Sequence, residues 1–160
     1  MVKNILGRVF TVWGAIVFIV SMVVFVPAVW VTDLYAEPKR TASFMQVVRI
    51  WMAVFFTLSG VRLRILGRNH FKKGENYIVV CNHNSMMDVP LSSPGIPGAN
   101  KTIAKIEMAK VPVFSIIYKR GSVLLDRKSD ASKRESYLAM KNVLENGMHM
   151  CIYPEGTRNK

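Results

Sequence analysis

The sequence predicts an α/β fold, a mixed sheet flanked by helices, preceded by membrane-associated N-terminal helices. Three observations carry that expectation. Residues 9–31 hold no charge at all. From Val61 onward, short apolar runs alternate with a stretch of helical periodicity. Two of those apolar runs end in polar clusters, where ligand sites of α/β sheets tend to lie. The chain therefore divides into residues 1–60, membrane-binding helices, and residues 61–160, an α/β domain.

Composition bounds the possibilities before any motif is read. Of 160 residues, 51% are apolar and 20% charged, which excludes a disordered, collagen-like or polyelectrolyte chain. Two cysteines exclude a disulfide framework. Twenty-two Lys and Arg stand against ten Asp and Glu, a formal charge of +12. A chain both greasy and basic points to an anionic partner, with a membrane surface first.

Val9–Val31 is 23 residues long, enough to cross a hydrocarbon core as a helix. Lys3 and Arg8 precede it. It exceeds the usual apolar core of a signal peptide, and no small-x-small cleavage site follows. Pro27 marks an expected kink or break. The second segment, Phe44–Gly60, is shorter and carries Gln46 and Arg49. Arginine at mid-bilayer is costly, so a helix lying partly in the interface fits better than a clean span. Trp13, Trp30 and Trp51 suit interfacial depth. Core helices of a globular protein are the alternative, and the topology stays open.

Val61–Ile65 alternates apolar and basic residues and predicts a strand with one buried face. Tyr77–Cys81 is a continuous apolar run and predicts a buried central strand. Ser92–Asn100, with two prolines and two glycines, predicts a loop. Lys105–Lys110 predicts a short helix stopped before Pro112. Ser122–Leu125 and Met148–Tyr153 predict strands. Between them, Ser132 and Glu135 have capping-box spacing, Tyr137, Met140 and Leu144 recur at helical spacing, and Gly147 is a natural stop.

The first polar cluster is Asn82-His83-Asn84-Ser85-Met86-Met87-Asp88. On one continuous helix, His83 and Asp88 would point about 140° apart. They meet only if His83 lies on the turn before a helix and Asp88 in its first turn, with Asn84 or Ser85 as a cap. The carboxylate then fixes the imidazole tautomer and leaves the other ring nitrogen free as a general base. A loop histidine beside a helix-capping aspartate is the alternative. The second cluster is Pro154-Glu155-Gly156-Thr157-Arg158, where Gly156 permits positive φ or close backbone approach. Lys105, Arg127 and Arg158 could converge on an anion, arginine binding phosphate through its planar fork. Glu155 could hold an arginine or meet a substrate hydroxyl.

Taken in order, Asn82-His83 with Asp88, Lys105 and Pro112, Gly121 with Arg127, and Glu155-Gly156-Thr157-Arg158 resemble the glycerolipid acyltransferase family over residues 61–160. The greasy start resembles the membrane-binding helices of its bacterial members. The resemblance implies transfer of an acyl chain from acyl-CoA or acyl carrier protein to the sn-2 hydroxyl of lysophosphatidic acid, with another lyso-lipid or glycerol-3-phosphate as the alternative acceptor. His83 would be the general base and Asp88 its orienting group. Arg127, Arg158 and Lys105, with the Glu155-Gly156-Thr157 turn, would bind the phosphate-bearing acceptor. No metal or bound cofactor is implied, because the thioester is already activated. Membrane lipids and lysophosphatidic acid are the implied partners, at a bacterial inner membrane with the catalytic part on the cytoplasmic side. The family has a further proline-containing apolar motif beyond the last cluster, so a fragment of a longer enzyme is expected.

Three rival readings stand beside this one. Cys81, His83, His149 and Cys151 could form a four-ligand zinc site, although their spacing is unusual for one. Nucleic-acid binding would suit the charge, but no recognisable motif supports it and the aromatics lie away from the lysines. A membrane module that only binds lipid is the third. Cys81 and Cys151 otherwise read as buried strand thiols, and His149 and His70 as structural or surface residues.

Overall fold

The computed structural model describes residues 2–158, with side chains from Ile5 onward. Lys3 of the basic flank and Lys160 at the terminus lie outside the described side chains. Five helices and four strands are present among the described residues: α1 Val2–Val31, α2 Lys39–Leu58, β1 Ile78–Val80, α3 Asp88–Gly95, β2 Asn100–Lys105, α4 Phe114–Arg120, β3 Ser122–Leu125, α5 Asp130–Glu145 and β4 His149–Ile152.

Helices α1 and α2 form an antiparallel pair. Val17, Met22 and Val29 of α1 pack with Phe44, Met45, Val48, Trp51, Met52, Phe55 and Phe56 of α2. Ile117 of α4 joins the same cluster and ties the pair to the α/β part. Both helices are long and apolar enough to cross a membrane. The first helix runs through Pro27 without a break and ends at Val31. Trp51 corrects an expectation. It is 3% exposed, and its indole N–H donates to Ser21 Oγ at 2.9 Å, so it is a core residue rather than an interfacial one. Trp13 and Trp30 stay exposed.

The sheet has the order β1-β4-β2-β3, and every pairing is parallel. The α/β expectation holds, with a purely parallel sheet in place of a mixed one. Alternation along β4 sorts its two faces. Met150 and Ile152 pack with Val123 and Ile103 beneath Met140, Val143 and Leu144 of α5. Cys151 and Tyr153 face the other way, with Val79, Cys81 and Ile96. Two ion pairs bolt the helix pair to the α/β part. Asp33 takes a two-pronged bond from Arg120 at the end of α4, and Glu37 pairs with Lys101 of β2 at 3.0 Å.

Several expected elements moved. Tyr77–Cys81 yields β1, but at the sheet edge, with Ile78 and Val80 58% and 62% exposed. An apolar run encodes two greasy faces, not whether both are covered. Val61–Ile65 forms no ladder, because alternation does not supply a partner strand. The expected loop at 92–100 is the end of α3 and a short bend leading into β2. Lys105–Lys110 becomes a 3₁₀ turn over Ile106–Lys110. α5 starts three residues early: Ser129 Oγ, not Ser132, caps it by accepting from the Ser132 N–H at 3.2 Å. β2 and α4 had no clear sequence signature.

Candidate active site

A parallel sheet brings all its carboxyl ends to one edge. β1 leads into His83, β4 into Glu155–Arg158, β2 ends at Lys105, and β3 ends two residues before Arg127. His83, Asp88, Lys105, Arg127 and Glu155–Arg158 therefore lie on that edge, although they are scattered over more than 70 positions of sequence.

His83 sits on the turn after β1, and Asp88 is the first residue of α3. His83 Nδ1 lies 2.9 Å from Asp88 Oδ2. The same carboxylate oxygen accepts the backbone N–H groups of Asn84 at 2.7 Å and Ser85 at 2.8 Å. The expected cap is thus inverted: Asp88 reaches back to satisfy the turn, while Ser85 Oγ accepts from the Met87 N–H. Burial pushes the Asp88 carboxyl upward. Hydrogen bonds from the Ser85 N–H, the His83 ring and the Asn84 N–H more than reverse this and hold it below its usual value. An ionised Asp88 can only accept, so Nδ1 carries the proton, and in the neutral ring the lone pair belongs to Nε2. Nε2 has no hydrogen-bond partner among the described residues.

The second cluster closes on the first. Glu155 Oε1 accepts the His83 backbone N–H at 3.2 Å. Arg127 crosses from the far edge strand and donates to the Gly156 carbonyl. Gly156 has φ +64°, and a Cβ there would sit 3.4 Å from the Arg127 guanidinium. The glycine therefore permits the turn, and the arginine rests against it at ordinary contact distance. Lys105 is exposed at the end of β2, its carbonyl accepting from Tyr118 OH at 3.1 Å. Thr157 and Arg158 are exposed on the same edge. Gly121 serves packing instead, since a Cβ there would meet Phe44 Cε1 of α2 at 3.0 Å.

Two neighbours of the pair were not legible in the sequence. The Tyr153 ring packs on the His83 imidazole with centroids 4.8 Å apart, and its hydroxyl meets Ser92 Oγ at 2.5 Å. Only the adjacency of β1 and β4 brings Tyr153 to His83. Beside the pair runs an open cleft of about 480 Å³, walled by Leu63, Ile65, Phe71, Leu91 and Ile96, with Asp88 and Asn82 also on its lining.

The zinc reading loses its ligand set. His149 stands at the amino end of β4, where its Nδ1 accepts the Tyr77 N–H at 3.1 Å, whereas His83 stands at the carboxyl edge against Asp88. Burial lowers the His149 pKa, in keeping with a neutral ring that accepts. Among the described residues no group of three or more His, Cys, Asp or Glu is arranged to hold a metal ion. Cys81 and Cys151 touch at 3.8 Å. Burial, with Cys81 adding to it, pushes the Cys151 thiol up to about 12.

The acyltransferase family pattern matches residues 62–160. The chain belongs to the acyltransferase family. Among similar members of that family, the human 1-acyl-sn-glycerol-3-phosphate acyltransferase alpha is 30% identical over 135 residues, which cover 82% of this chain and 47% of the human protein. The Helicobacter pylori 1-acyl-sn-glycerol-3-phosphate acyltransferase is 33% identical over 107 residues, 66% of this chain and 44% of that protein. This chain thus spans about half the length of the curated relatives it matches. The fold agrees with the crystal structure of the 1-acyl-sn-glycerophosphate acyltransferase PlsC from Thermotoga maritima, with a TM-score of 0.77 and 25% identity over 98% of this chain and 64% of that one. That acyltransferase match includes α1 and α2 as well as the sheet, since it spans nearly the whole chain.

Proposed function

We propose that this chain carries the site that transfers an acyl group from a thioester to the sn-2 hydroxyl of lysophosphatidic acid, forming phosphatidic acid. The observation that carries the reading is the His83–Asp88 contact, which in the neutral ring leaves Nε2 as the base, on the sheet edge that also bears Lys105, Arg127 and Arg158. The names of the relatives support the choice of acceptor.

Nε2 of His83 takes the hydroxyl proton as the acceptor oxygen attacks the thioester carbonyl. The tetrahedral intermediate collapses, the C–S bond breaks, and the imidazolium returns its proton to the leaving sulfur. Asp88 stabilises the imidazolium between those steps. Arg158 and Lys105, both exposed, take the phosphate together with the Arg127 N–H groups not used by Gly156. Glu155, Gly156 and Thr157 shape the turn that presents Arg158. The donor is an acyl-CoA or acyl carrier protein thioester, its chain lying in the apolar cleft beside Asp88. Residues 1–60 hold residues 61–160 at a bilayer, in this reading the cytoplasmic face of a bacterial inner membrane, where lyso-lipid and product both reside.

The test is acyl transfer to lysophosphatidic acid by the protein in phosphatidylglycerol-containing vesicles. His83→Ala is expected to lose about 10²–10⁴-fold in kcat; near-wild-type turnover removes the base role. Arg158→Ala is expected to raise the acceptor KM, whereas a raised donor KM alone reassigns it. Saturable binding of lysophosphatidic acid with no transfer by the wild-type protein would replace the catalytic reading with a lipid-binding one.

A further inference from the structure

Arg49 is the only charge in α2 beyond its first two residues, and its guanidinium is turned onto backbone carbonyls. Its Nε donates to the Pro94 carbonyl at 3.2 Å, and its Nη2 to the carbonyls of Ile96 at 2.8 Å and Gly98 at 2.6 Å. These carbonyls end α3 and begin the bend after it. Arg68 adds bonds to Gly95 at 3.1 Å and Pro94 at 3.4 Å. The last carbonyls of a helix lack partners within it and carry its negative dipole end, so a guanidinium there satisfies both.

The other end of the same eight-residue helix is Asp88. Further contacts leave α3 little freedom between its ends. Ser93 donates to Asn100 Oδ1 at 2.7 Å and also meets Met45 Sδ of α2 at 3.6 Å. Ser92 meets Tyr153, whose ring packs on His83. A helix this short behaves as one rigid piece, so the place of its carboxyl end against α2 sets the place of its first residue.

We propose that Arg49 is a positioning residue for the transfer reaction: it registers α3 against the membrane-associated helix α2 and thereby holds Asp88 in reach of His83. The inference rests on His83 and Asp88 being the acyl-transfer pair. It gives α2 a role beyond attachment, because the helix pair and the catalytic carboxylate then move as one body.

The test uses the whole chain in vesicles of phosphatidylcholine and phosphatidylglycerol, with Arg49→Gln and Arg49→Lys. Misplacing a reacting group by about 1 Å costs on the order of 10²-fold, so Arg49→Gln is expected to lower kcat about 10–10²-fold with the acceptor KM within twofold. Arg49→Lys keeps the charge but makes fewer of the three bonds, and is expected to recover part of kcat. The hydrogen-bonded His83 Nδ1–H, followed by NMR in detergent, is expected to weaken in Arg49→Gln. Unchanged kcat and an unchanged Nδ1–H signal overturn the proposal, as does a raised acceptor KM at full kcat. If Arg49→Gln does not fold, Arg49→Lys decides: an intermediate kcat supports the proposal and a wild-type value overturns it. If the wild-type chain transfers no acyl group, the functional reading fails and the Nδ1–H signal alone decides whether Arg49 positions the pair.

Discussion

Replacing Asp88 by asparagine separates the two services that its carboxylate performs. A single oxygen, Oδ2, accepts from the His83 ring and from the Asn84 and Ser85 N–H groups. An asparagine can place its one carbonyl oxygen there and keep all three bonds, so the turn and the ring tautomer survive. What disappears is the negative charge facing the imidazolium that the proposed transfer would form. With charge centres about 4 Å apart, that attraction is about 1 kcal/mol in water and about 4 kcal/mol at the effective dielectric of a protein surface. The His83 and Asp88 side chains are 23% and 18% exposed, which places the pair between these limits, at about 2–3 kcal/mol. Asp88→Asn should therefore lose about 30–200-fold in kcat. Asp88→Ala should lose more and also unfold earlier, by about 1–3 kcal/mol, because two turn N–H groups lose their acceptor. The assay is steady-state acyl transfer at neutral pH, paired with urea unfolding. A kcat for Asp88→Asn within threefold of wild type, or equal to that of Asp88→Ala, would refute the reasoning.

Two further outcomes test the attachment of the helix pair. Burial pushes Glu37 upward, but bonds from the Thr41 N–H, Arg40 and Lys101 more than reverse this and hold its carboxyl at about 2. A depressed carboxyl stabilises the fold fully above its unfolded value near 4.5, and that contribution is lost as pH falls toward 2. Glu37→Gln should abolish this part of the acid dependence in thermal unfolding and destabilise at pH 7 by about 1–3 kcal/mol, since Lys101 keeps no carboxylate; identical acid profiles for the two proteins would count against it. Gly121→Ala should cost about 1–3 kcal/mol by overpacking, because its Cβ would press on Phe44, which is 2% exposed; the companion change Phe44→Leu should relieve part of that cost in a double-mutant cycle.

The site was legible wherever chemistry depends on near neighbours in the chain. Asn82-His83 and Asp88 are close in sequence, and the turn-then-helix geometry that lets them meet follows from helix periodicity alone. Gly156 was legible as a turn residue because positive φ is a local property. Its carbonyl's bond to Arg127 was not, since Arg127 arrives from another strand. Tyr153 and Arg49 were invisible as partners of the site for the same reason: each contact crosses 40 or more positions of sequence. The strand expected at Val61–Ile65 failed because a pattern fixes which side chains share a face, whereas a ladder needs a second backbone.

By itself, then, the sequence determined the apolar helices, the α/β alternation after Val61 and the residue types gathered in two polar clusters. These follow from hydropathy, periodicity and backbone stereochemistry, which act over a few residues. Only the tertiary structure decided that β4 inserts between β1 and β2, that all four strands run parallel, and that one edge collects His83, Glu155, Lys105 and Arg127. Strand order is chosen by which faces bury best against α2, α3 and α5. That choice is made by contacts between distant segments, and no short window of sequence contains it.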